Sequence, residues 1–228
     1  MLTRSIYEPE HEMFRDAVRK FFDKEMTPFH GEWEKAGKVP REFWRKAGEQ
    51  GLLCPQVPEE YGGAGMSLAQ YCLVQEEISR SNPIFTILMA STGGLAPMAI
   101  ARRGTPAQKR RYLPGLARGE SRTSFALTEP GAGSDSAAIA TRATAVPGGW
   151  SINGRKHFIS GGEQADVVMV MAATEPGRRA KGITAFLVDR NAPGLSVSRV
   201  DVTMGSPAWT LAELSFDNCF VPEDAVVG

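Results

Sequence analysis

The spacing of apolar residues changes near residue 120, and this change is the strongest constraint on the fold. Before it, apolar side chains recur every three or four residues, as on one face of an α-helix. After Glu120 the repeat shortens to two, the spacing of a β-strand with one buried face. The sequence therefore predicts an α+β chain, with an all-helical N-terminal domain over residues 1–122 and an antiparallel β-barrel or sandwich over residues 123–228.

Local start and stop signals place the helices of the first domain. Pro40 begins a helix that ends near Gly51, and Ser67 to Gln70 has the form of a capping box at the start of another. Thr105 to Gln108 repeats that form, and the helix it opens is expected to end at Pro114 and Gly115. The first helix should bury one face made of Met13, Phe14, Val18, Phe21 and Phe22.

The uniformly apolar stretch from Ile84 predicts a buried helix that ends near Gly104.

Turn signals separate the short apolar runs of the second domain. Pro147-Gly148-Gly149 and Asn153-Gly154 each predict a tight turn, and no helix-length segment lies between the runs. We therefore expect antiparallel pairing and no parallel βαβ sheet. The runs are 124–127, 167–173, 183–188, 195–200 and 211–220.

Charge and composition exclude two classes of protein. The chain has 26 basic and 26 acidic residues, so it lacks the basic excess of a dedicated nucleic-acid binder. Its 42% hydrophobic content is too high for a disordered protein.

Cysteine, histidine and the N-terminal segment point to the compartment. Three widely spaced cysteines predict free thiols in a reducing environment, and three scattered histidines predict no metal site. The first residues lack the apolar core of a secretory signal. The longest apolar stretch, residues 87–101, is too short and too interrupted to span a bilayer. We expect a cytoplasmic protein.

The segment from Phe125 to Asp135 carries the first functional pattern. A predicted strand leads into Pro130-Gly131-Ala132-Gly133-Ser134, where the glycines allow backbone N–H groups to form an anion cradle suited to a pyrophosphate. The hydroxyls of Thr128 and Ser134 add donors. The alternative is an ordinary surface loop. Ser136 in place of a third glycine excludes the Rossmann dinucleotide fingerprint.

The segment from Asn153 to Gly162 carries the second pattern. Phe158 precedes the Ser160 hydroxyl by two residues, which would suit a planar cofactor with a polar edge. The alternative is a hairpin whose phenylalanine lies in the core.

These motifs, in this order, resemble the acyl-CoA dehydrogenase family of flavoproteins. The resemblance covers the whole chain, and in that family the helical and β domains enclose FAD and an acyl-CoA thioester. The motifs are EKAGKVPREFWRKAGEQGLL, PEEYGGAGMS, QKRRYLPGLARGE, ALTEPGAGSD, INGRKHFISGG, GITAFLVD, APGLSV and ELSFDNCFVPEDAVVG.

The resemblance implies that the segment from Phe125 to Ser134 binds the flavin. Leu127 and Thr128 would meet the pyrimidine edge of the ring, and Gly133 and Ser134 would meet the phosphates. Ser134 would also lie near the pantetheine arm of the substrate.

Phe158, Ile159 and Ser160 match the family's aromatic–Ile–Thr/Ser segment beside the flavin. Many members have Trp in place of Phe158 and Thr in place of Ser160. Phenylalanine keeps a ring but lacks the indole donor, and serine keeps the hydroxyl.

The resemblance also gives candidate substrate residues. Phe85, Thr86 and Met89 match the part of the family that lines the acyl tunnel; the alternative is plain core packing. A basic group could attract the phosphates of CoA, but a solvated helix face is the favoured interpretation. This group consists of Arg102, Arg103, Lys109, Arg110, Arg111 and Arg118.

The implied activity is FAD-dependent α,β-dehydrogenation of a saturated acyl-CoA to a trans-2-enoyl-CoA, as in fatty acid oxidation. The family's catalytic base lies in a C-terminal helical domain beyond Gly228, so no catalytic residue is assigned here, and we expect no turnover by this chain alone. The implied partners are an electron-transfer flavoprotein and further subunits, either a homo-oligomer (a dimer of dimers) or a complementing chain.

Two other functions fit the same motifs. One is a flavin oxidase or monooxygenase of the same fold, such as an acyl-CoA or nitroalkane oxidase. The other is a non-catalytic partner subunit that binds FAD or CoA.

Overall fold

The computed structural model describes residues 6–82 and 94–228. In these residues the helices precede the strands, so the predicted order of a helical domain and a strand domain is confirmed. The helices are α1 (Pro9–Glu25), α2 (His30–Ala36), α3 (Arg41–Glu49), α4 (Leu68–Ser81), α5 (Leu95–Arg103) and α6 (Pro106–Ala117).

The capping signals place their helices correctly. The Ser67 hydroxyl accepts a hydrogen bond from the backbone N–H of Gln70, whose side chain accepts one from the backbone N–H of Ser67. Thr105 and Gln108 form the same reciprocal pair at the start of α6. Pro40 is the N-cap of α3, as predicted. Each box satisfies two backbone donors that the first helical turn leaves free.

Two details of the helix prediction are wrong. Met13 is 75% exposed, whereas Val18 and Phe22 carry the buried face of α1. Pro114 does not end α6, which continues to Ala117. Leu116 and Ala117 are buried, so their packing outweighs the cost of the proline in the last turn.

The predicted helix from Ile84 is only partly tested. Helix α5 covers its second part and ends before Gly104, as expected. Residues 84–93 lie outside the described residues.

The strands form one sheet with the order β6-β7-β3-β2-β4-β5-β8, and β1 pairs with β4. The turn between β2 and β3 contains Gly148, and glycine favours tight turns. The predicted Pro147-Gly148-Gly149 turn is therefore confirmed. The strands are β1 (Thr123–Ala126), β2 (Arg142–Val146), β3 (Gly149–Ser160), β4 (Val167–Ala173), β5 (Ile183–Asp189), β6 (Leu195–Val202), β7 (Thr210–Pro222) and β8 (Val226–Val227).

The sheet is mixed, so the expectation of purely antiparallel strands is wrong. β1 runs parallel to β4 from Thr123–Val167 to Ala126–Val170, and β2 meets β4 in parallel at Arg142–Ala173. A parallel pair needs a long crossover, usually a helix. Here the β2–β3 hairpin itself is the crossover between β1 and β4, so no helix is required.

The predicted turn at Asn153-Gly154 is also wrong, because both residues lie inside β3. The pairing of β3 with β7 shifts register between Ile152 and Gly154. Asn153 Oδ1 accepts a hydrogen bond from the backbone N–H of Asn218 across this irregularity, with an N–O distance of 2.8 Å. Gly154 has φ of 148°, and a Cβ there would lie 2.7 Å from the Cα of Thr141. The glycine allows a close backbone approach rather than a turn.

Apolar side chains form three clusters. One fills the helical domain around Phe22 and Trp44 and includes Trp209 from the strand domain. A second lies within the strand domain, and a third packs α5 and α6 against β4 and β5. The two domains therefore share buried surface. No helix in the described ranges has the length and apolar character needed to cross a membrane.

Candidate functional site

The segment after β1 folds into a tight reversal. Glu129 and Ala132 exchange two backbone hydrogen bonds, with N–O distances of 3.0 and 3.1 Å, around Pro130-Gly131. This reversal places Gly131, Gly133 and Ser134 on the surface.

Open space lies beside both glycines. A Cβ built at Gly131 or Gly133 would meet no atom within 4 Å. Neither glycine has φ in the left-handed region. The two glycines therefore do not supply unusual backbone angles for the predicted anion cradle. Glycine instead leaves the backbone open to close approach by a ligand.

Phe158 lies at a bulge near the end of β3. His157 and Phe158 together oppose Glu213, because the register shifts between Lys156–Leu214 and Ile159–Ala212. Phe158 has φ of 56° and is 54% exposed, so it is not the core residue of a hairpin. The rings of His157 and Phe158 stack with centroids 3.9 Å apart and an interplanar angle of 11°. An exposed ring on strained backbone is a typical feature of a binding site.

Two hydrogen bonds join these segments. The backbone N–H of His157 donates to the carbonyl oxygen of Thr128 at 2.8 Å, and the Ser124 hydroxyl donates to the carbonyl oxygen of Ser160 at 2.8 Å. The structure therefore brings together the two segments that the sequence singled out.

Three hydroxyls remain available at this junction. Among residues 6–82 and 94–228, the side chains of Thr128, Ser134 and Ser160 have no hydrogen-bond partner. Thr128 and Ser160 are half-buried, and Ser134 is exposed. They can donate to or accept from a polar ligand.

A buried ion pair beneath the junction was missed from the sequence. Lys156 Nζ lies 2.8 Å from Glu129 Oε1, and the two side chains are 0% and 6% exposed. Burial lowers the pKa of Lys156, and Glu129 opposes this only in part. Burial raises the pKa of Glu129, but hydrogen bonds from Lys156, Thr141 and Ala140 outweigh that effect and hold the pKa below its usual value.

A bulge in β3 explains why the ion pair was missed. Buried positions recur at Ile152, Lys156 and Ile159, at spacings of four and three. Alternation counted from Ile152 places Lys156 on the buried face, whereas alternation counted back from Ile159 places it on the exposed face, because the bulge at His157 and Phe158 adds one residue. The sequence offered one signal: one functional motif contains a glutamate, Glu129, and the other contains a lysine, Lys156.

The other predicted site residues lie elsewhere. The Phe125 side chain packs against the cluster between the helices and the sheet, and Ile159 is 2% exposed. Only their backbone groups are placed to contact a ligand at the junction. Phe85, Thr86 and Met89 lie outside the described residues.

Basic side chains lie at the margin of the junction and on the helices. Arg179 donates two hydrogen bonds to Asp135, directly after Ser134, at 2.8 and 2.9 Å. Of the basic group predicted on the helices, Arg111 pairs with Asp189. Arg102 and Arg103 line a groove of about 540 Å³ whose other walls are Gln56, Tyr71, Gly94, Leu95, Met98 and Ala99.

No group of three or more His, Cys, Asp or Glu side chains is arranged to hold a metal ion in the described part of the chain.

Two family models match the chain. The acyl-CoA dehydrogenase N-terminal domain matches residues 8–120, and the acyl-CoA dehydrogenase middle domain matches residues 124–219.

Several similar proteins are acyl-CoA dehydrogenases. The chain is 39% identical to the long-chain specific acyl-CoA dehydrogenase of Rattus norvegicus mitochondria, over 99% of this chain and 53% of the relative. It matches the crystal structure of an acyl-CoA dehydrogenase from Geobacillus kaustophilus with a TM-score of 0.94 and 38% identity, over 99% of this chain and 60% of the other.

A third similar protein is a glutaryl-CoA dehydrogenase from Mycobacterium smegmatis, solved in complex with FADH2. The match has a TM-score of 0.89 and 31% identity, over 96% of this chain and 55% of the other. The chain thus spans between half and two thirds of the length of these relatives.

Proposed function

Because the chain belongs to the acyl-CoA dehydrogenase family, we propose that it binds FAD and takes part in the α,β-dehydrogenation of a saturated acyl-CoA thioester to a trans-2-enoyl-CoA, as in fatty acid oxidation. The observation that carries the proposal is the junction of the segments 127–134 and 158–160. It joins open glycines, available hydroxyls and an exposed aromatic ring. This combination fits a cofactor with a phosphate part and a flat ring.

Each segment has its own role in the proposal. Leu127 and Thr128 offer backbone and hydroxyl groups to the polar edge of the flavin, and Gly133 and Ser134 offer open backbone and a hydroxyl to its phosphates. Phe158 shields the ring, and Ser160 donates or accepts at its edge. Phe125 and Ile159 hold their segments in place from the interior. FAD, when bound, supplies the acceptor for the hydride that leaves the β-carbon.

Ser134 is also proposed to contact the pantetheine arm of the substrate, since it lies at the exposed end of its segment. Phe85, Thr86 and Met89 remain the proposed lining of the acyl tunnel.

No residue described in the structure is proposed as the catalytic base. Glu129 is the carboxylate nearest the junction in sequence, but its side chain is 6% exposed and accepts hydrogen bonds from Lys156, Ala140 and Thr141. A carboxylate held in this way is not free to reach the α-proton of a substrate.

We also propose an electron-transfer flavoprotein as electron acceptor, assembly as a dimer of dimers or with a complementing subunit, and a cytoplasmic location. The family resemblance supports the first two, and three free cysteines support a reducing compartment. Sedimentation of the purified chain at several concentrations would test the assembly.

The test of FAD binding is the visible absorption spectrum of the chain after incubation with FAD and desalting. We expect retained flavin bands for the unmodified chain. Gly133→Val should weaken FAD binding at least tenfold without loss of the fold, because its Cβ enters open space where the phosphates are proposed to lie.

Gly31→Val is the matched control. A Cβ at Gly31 also meets no atom within 4 Å, but Gly31 lies in α2 of the helical domain. It should leave flavin retention unchanged. Complete loss of flavin from the unmodified chain, or equal retention by Gly133→Val, would refute the proposed site. Rapid reoxidation of the reduced holoprotein by oxygen would favour an oxidase instead.

A further inference from the structure

The buried pair of Lys156 and Glu129 connects both segments of the proposed site. Lys156 lies on β3 two residues before Phe158, and Glu129 lies in the reversal that follows Thr128. Lys156 Nζ donates to Glu129 Oε1 at 2.8 Å and to the carbonyl oxygen of Leu127 at 3.0 Å. One ammonium group thus ties the start of the reversal to β3.

Glu129 extends the connection to the chain that follows. Its Oε2 accepts a hydrogen bond from the backbone N–H of Ala140 at 2.6 Å, and its Oε1 accepts one from Thr141 at 3.0 Å. Thr141 directly precedes β2. The carboxylate therefore holds both ends of the segment 129–141, which contains Gly133 and Ser134.

Stability alone does not explain why the protein buries the charged side chains of Lys156 and Glu129. Both side chains are almost completely buried, and a buried ion pair pays a desolvation cost that its attraction often fails to recover. Apolar replacements of such pairs are often neutral or stabilising. The contacts of this pair are instead directed at backbone groups of the proposed cofactor site.

We propose that Lys156 and Glu129 are positioning residues: together they fix the backbone of the segments 127–134 and 156–160 in the arrangement that FAD requires. The inference rests on the proposed function for its cofactor. Neither residue needs to contact the cofactor itself. They act through the carbonyl oxygen of Leu127 and the amides of Ala140 and Thr141.

The test compares stability, FAD affinity and amide exchange in the 228-residue chain. Lys156→Met leaves the Glu129 charge buried without its partner, so it should lower both stability and FAD affinity. The double variant Lys156→Met/Glu129→Gln removes both charges. It should recover much of the stability lost in Lys156→Met but still bind FAD at least tenfold more weakly, because methionine cannot donate to the carbonyl oxygen of Leu127 and glutamine offers one acceptor oxygen where the carboxylate offers two.

Amide hydrogen exchange without FAD gives a second readout. In the double variant, exchange should become at least tenfold faster at Ala132, Ala140 and Thr141. It should stay unchanged in β5, to which the pair makes no hydrogen bond.

The double variant Arg19→Met/Glu77→Gln is the matched control, since it removes a half-buried ion pair from the helical domain. It should leave FAD affinity unchanged. The inference is overturned if the Lys156/Glu129 double variant binds FAD normally, if its exchange is unchanged, or if the control loses FAD equally. If the unmodified chain does not bind FAD, the proposed cofactor fails, and the exchange result alone decides whether the pair positions these segments.

Discussion

The guanidinium group of Arg41 lies 2.8 and 3.2 Å from the two carboxylate oxygens of Asp166, so a bidentate ion pair joins α3 to the chain just before β4. Arg41 also donates to the carbonyl oxygen of Glu120, and Asp166 accepts from the backbone N–H of Arg122. These contacts bring the helical domain, the connection to β1 and the sheet together at one point.

Replacement of Arg41 should weaken the joint between the domains only modestly. The side chains of Arg41 and Asp166 are 46% and 38% exposed, and such pairs contribute about 0.2–1 kcal/mol. We expect Arg41→Met to lower the free energy of unfolding by an amount near the upper end of that range, measured by urea denaturation. Arg118→Met, which breaks a more exposed pair with Glu120, should cost less. An equal or larger loss for Arg118→Met would contradict this ranking.

Acid should destabilise the contact between α1 and α4 through Glu77. Burial raises the pKa of Glu77, but hydrogen bonds and charges from Arg19 and Arg80 outweigh that effect, so the pKa lies below its usual value. The folded state therefore binds fewer protons than the unfolded state as pH falls from about 5 towards the lowered pKa, and stability is lost in that window.

Glu77→Gln should make the free energy of unfolding less dependent on pH between about 5 and 3, the range in which carboxylates titrate. Urea midpoints at several pH values measure this. Glu60→Gln is the control, because Glu60 is exposed and has no ion pair within the described ranges. Identical pH profiles for Glu77→Gln and the unmodified chain would rule out this account.

A side chain at Gly154 should be strongly destabilising. Its Cβ would lie 2.5 Å from Thr141 Oγ1 and 2.7 Å from Thr141 Cα. Gly154→Ala should cost about 1–3 kcal/mol, the range for overpacking a buried site. Gly31→Ala, in the first turn of α2 with open space around its Cβ and no positive φ, should instead stabilise the chain by about 0.4–1 kcal/mol. Thermal unfolding of the two variants should shift in opposite directions, and a shared direction would show that the close approach is not the cause.

One of the three thiols should react under native conditions. Cys72 is exposed, whereas burial raises the pKa of Cys54 to about 12 and that of Cys219 to about 11. A thiol reagent at pH 8 should modify one equivalent in the folded chain and three in denaturant, because the thiolate is the reacting form. Cys72→Ser should reduce the native count to zero. Reaction of a second thiol on the same timescale would argue against the buried placement of Cys54 and Cys219.

The backbone at Phe158 should tolerate glycine. Phe158 has φ of 56°, and a non-glycine residue held there costs about 1–3 kcal/mol. Relief of that strain should offset the lost contact with His157. We expect Phe158→Gly to change the free energy of unfolding by less than about 1 kcal/mol, while Ile159→Ala costs about 2–5 kcal/mol as a core truncation. FAD binding should fall in Phe158→Gly, and a large loss of stability in that variant would contradict the strain argument.

The sequence predicts the helices better than the sheet, because capping chemistry is local. Ser67 and Thr105 each form a box with a residue three positions later, and both mark true helix starts. Gly154 depends on Thr141, a residue on another part of the chain, and its sequence neighbours alone suggest a turn. Parallel pairing of β1 with β4 is equally non-local.

In the candidate site, too, local features were predicted from the sequence and non-local contacts were not. The motifs locate Thr128, Ser134, Phe158 and Ser160, and the structure places their two segments side by side. Lys156 was not recognised as a buried partner of Glu129, because the bulge at His157 and Phe158 breaks the alternation between Lys156 and Ile159 and because the contact with Glu129 is non-local. Bulges arise from pairing with β7 and leave no mark in a single-strand pattern.

The position of β1 also orders the events of folding. Its partner β4 follows the whole β2–β3 hairpin, so closure of this contact carries an entropic cost that local hairpin contacts do not. We expect the hairpin to form early and β1 to add late. The segment 127–134 directly follows β1, so the proposed cofactor site should form only in the final steps of folding. Bound flavin would then indicate that the chain has folded completely.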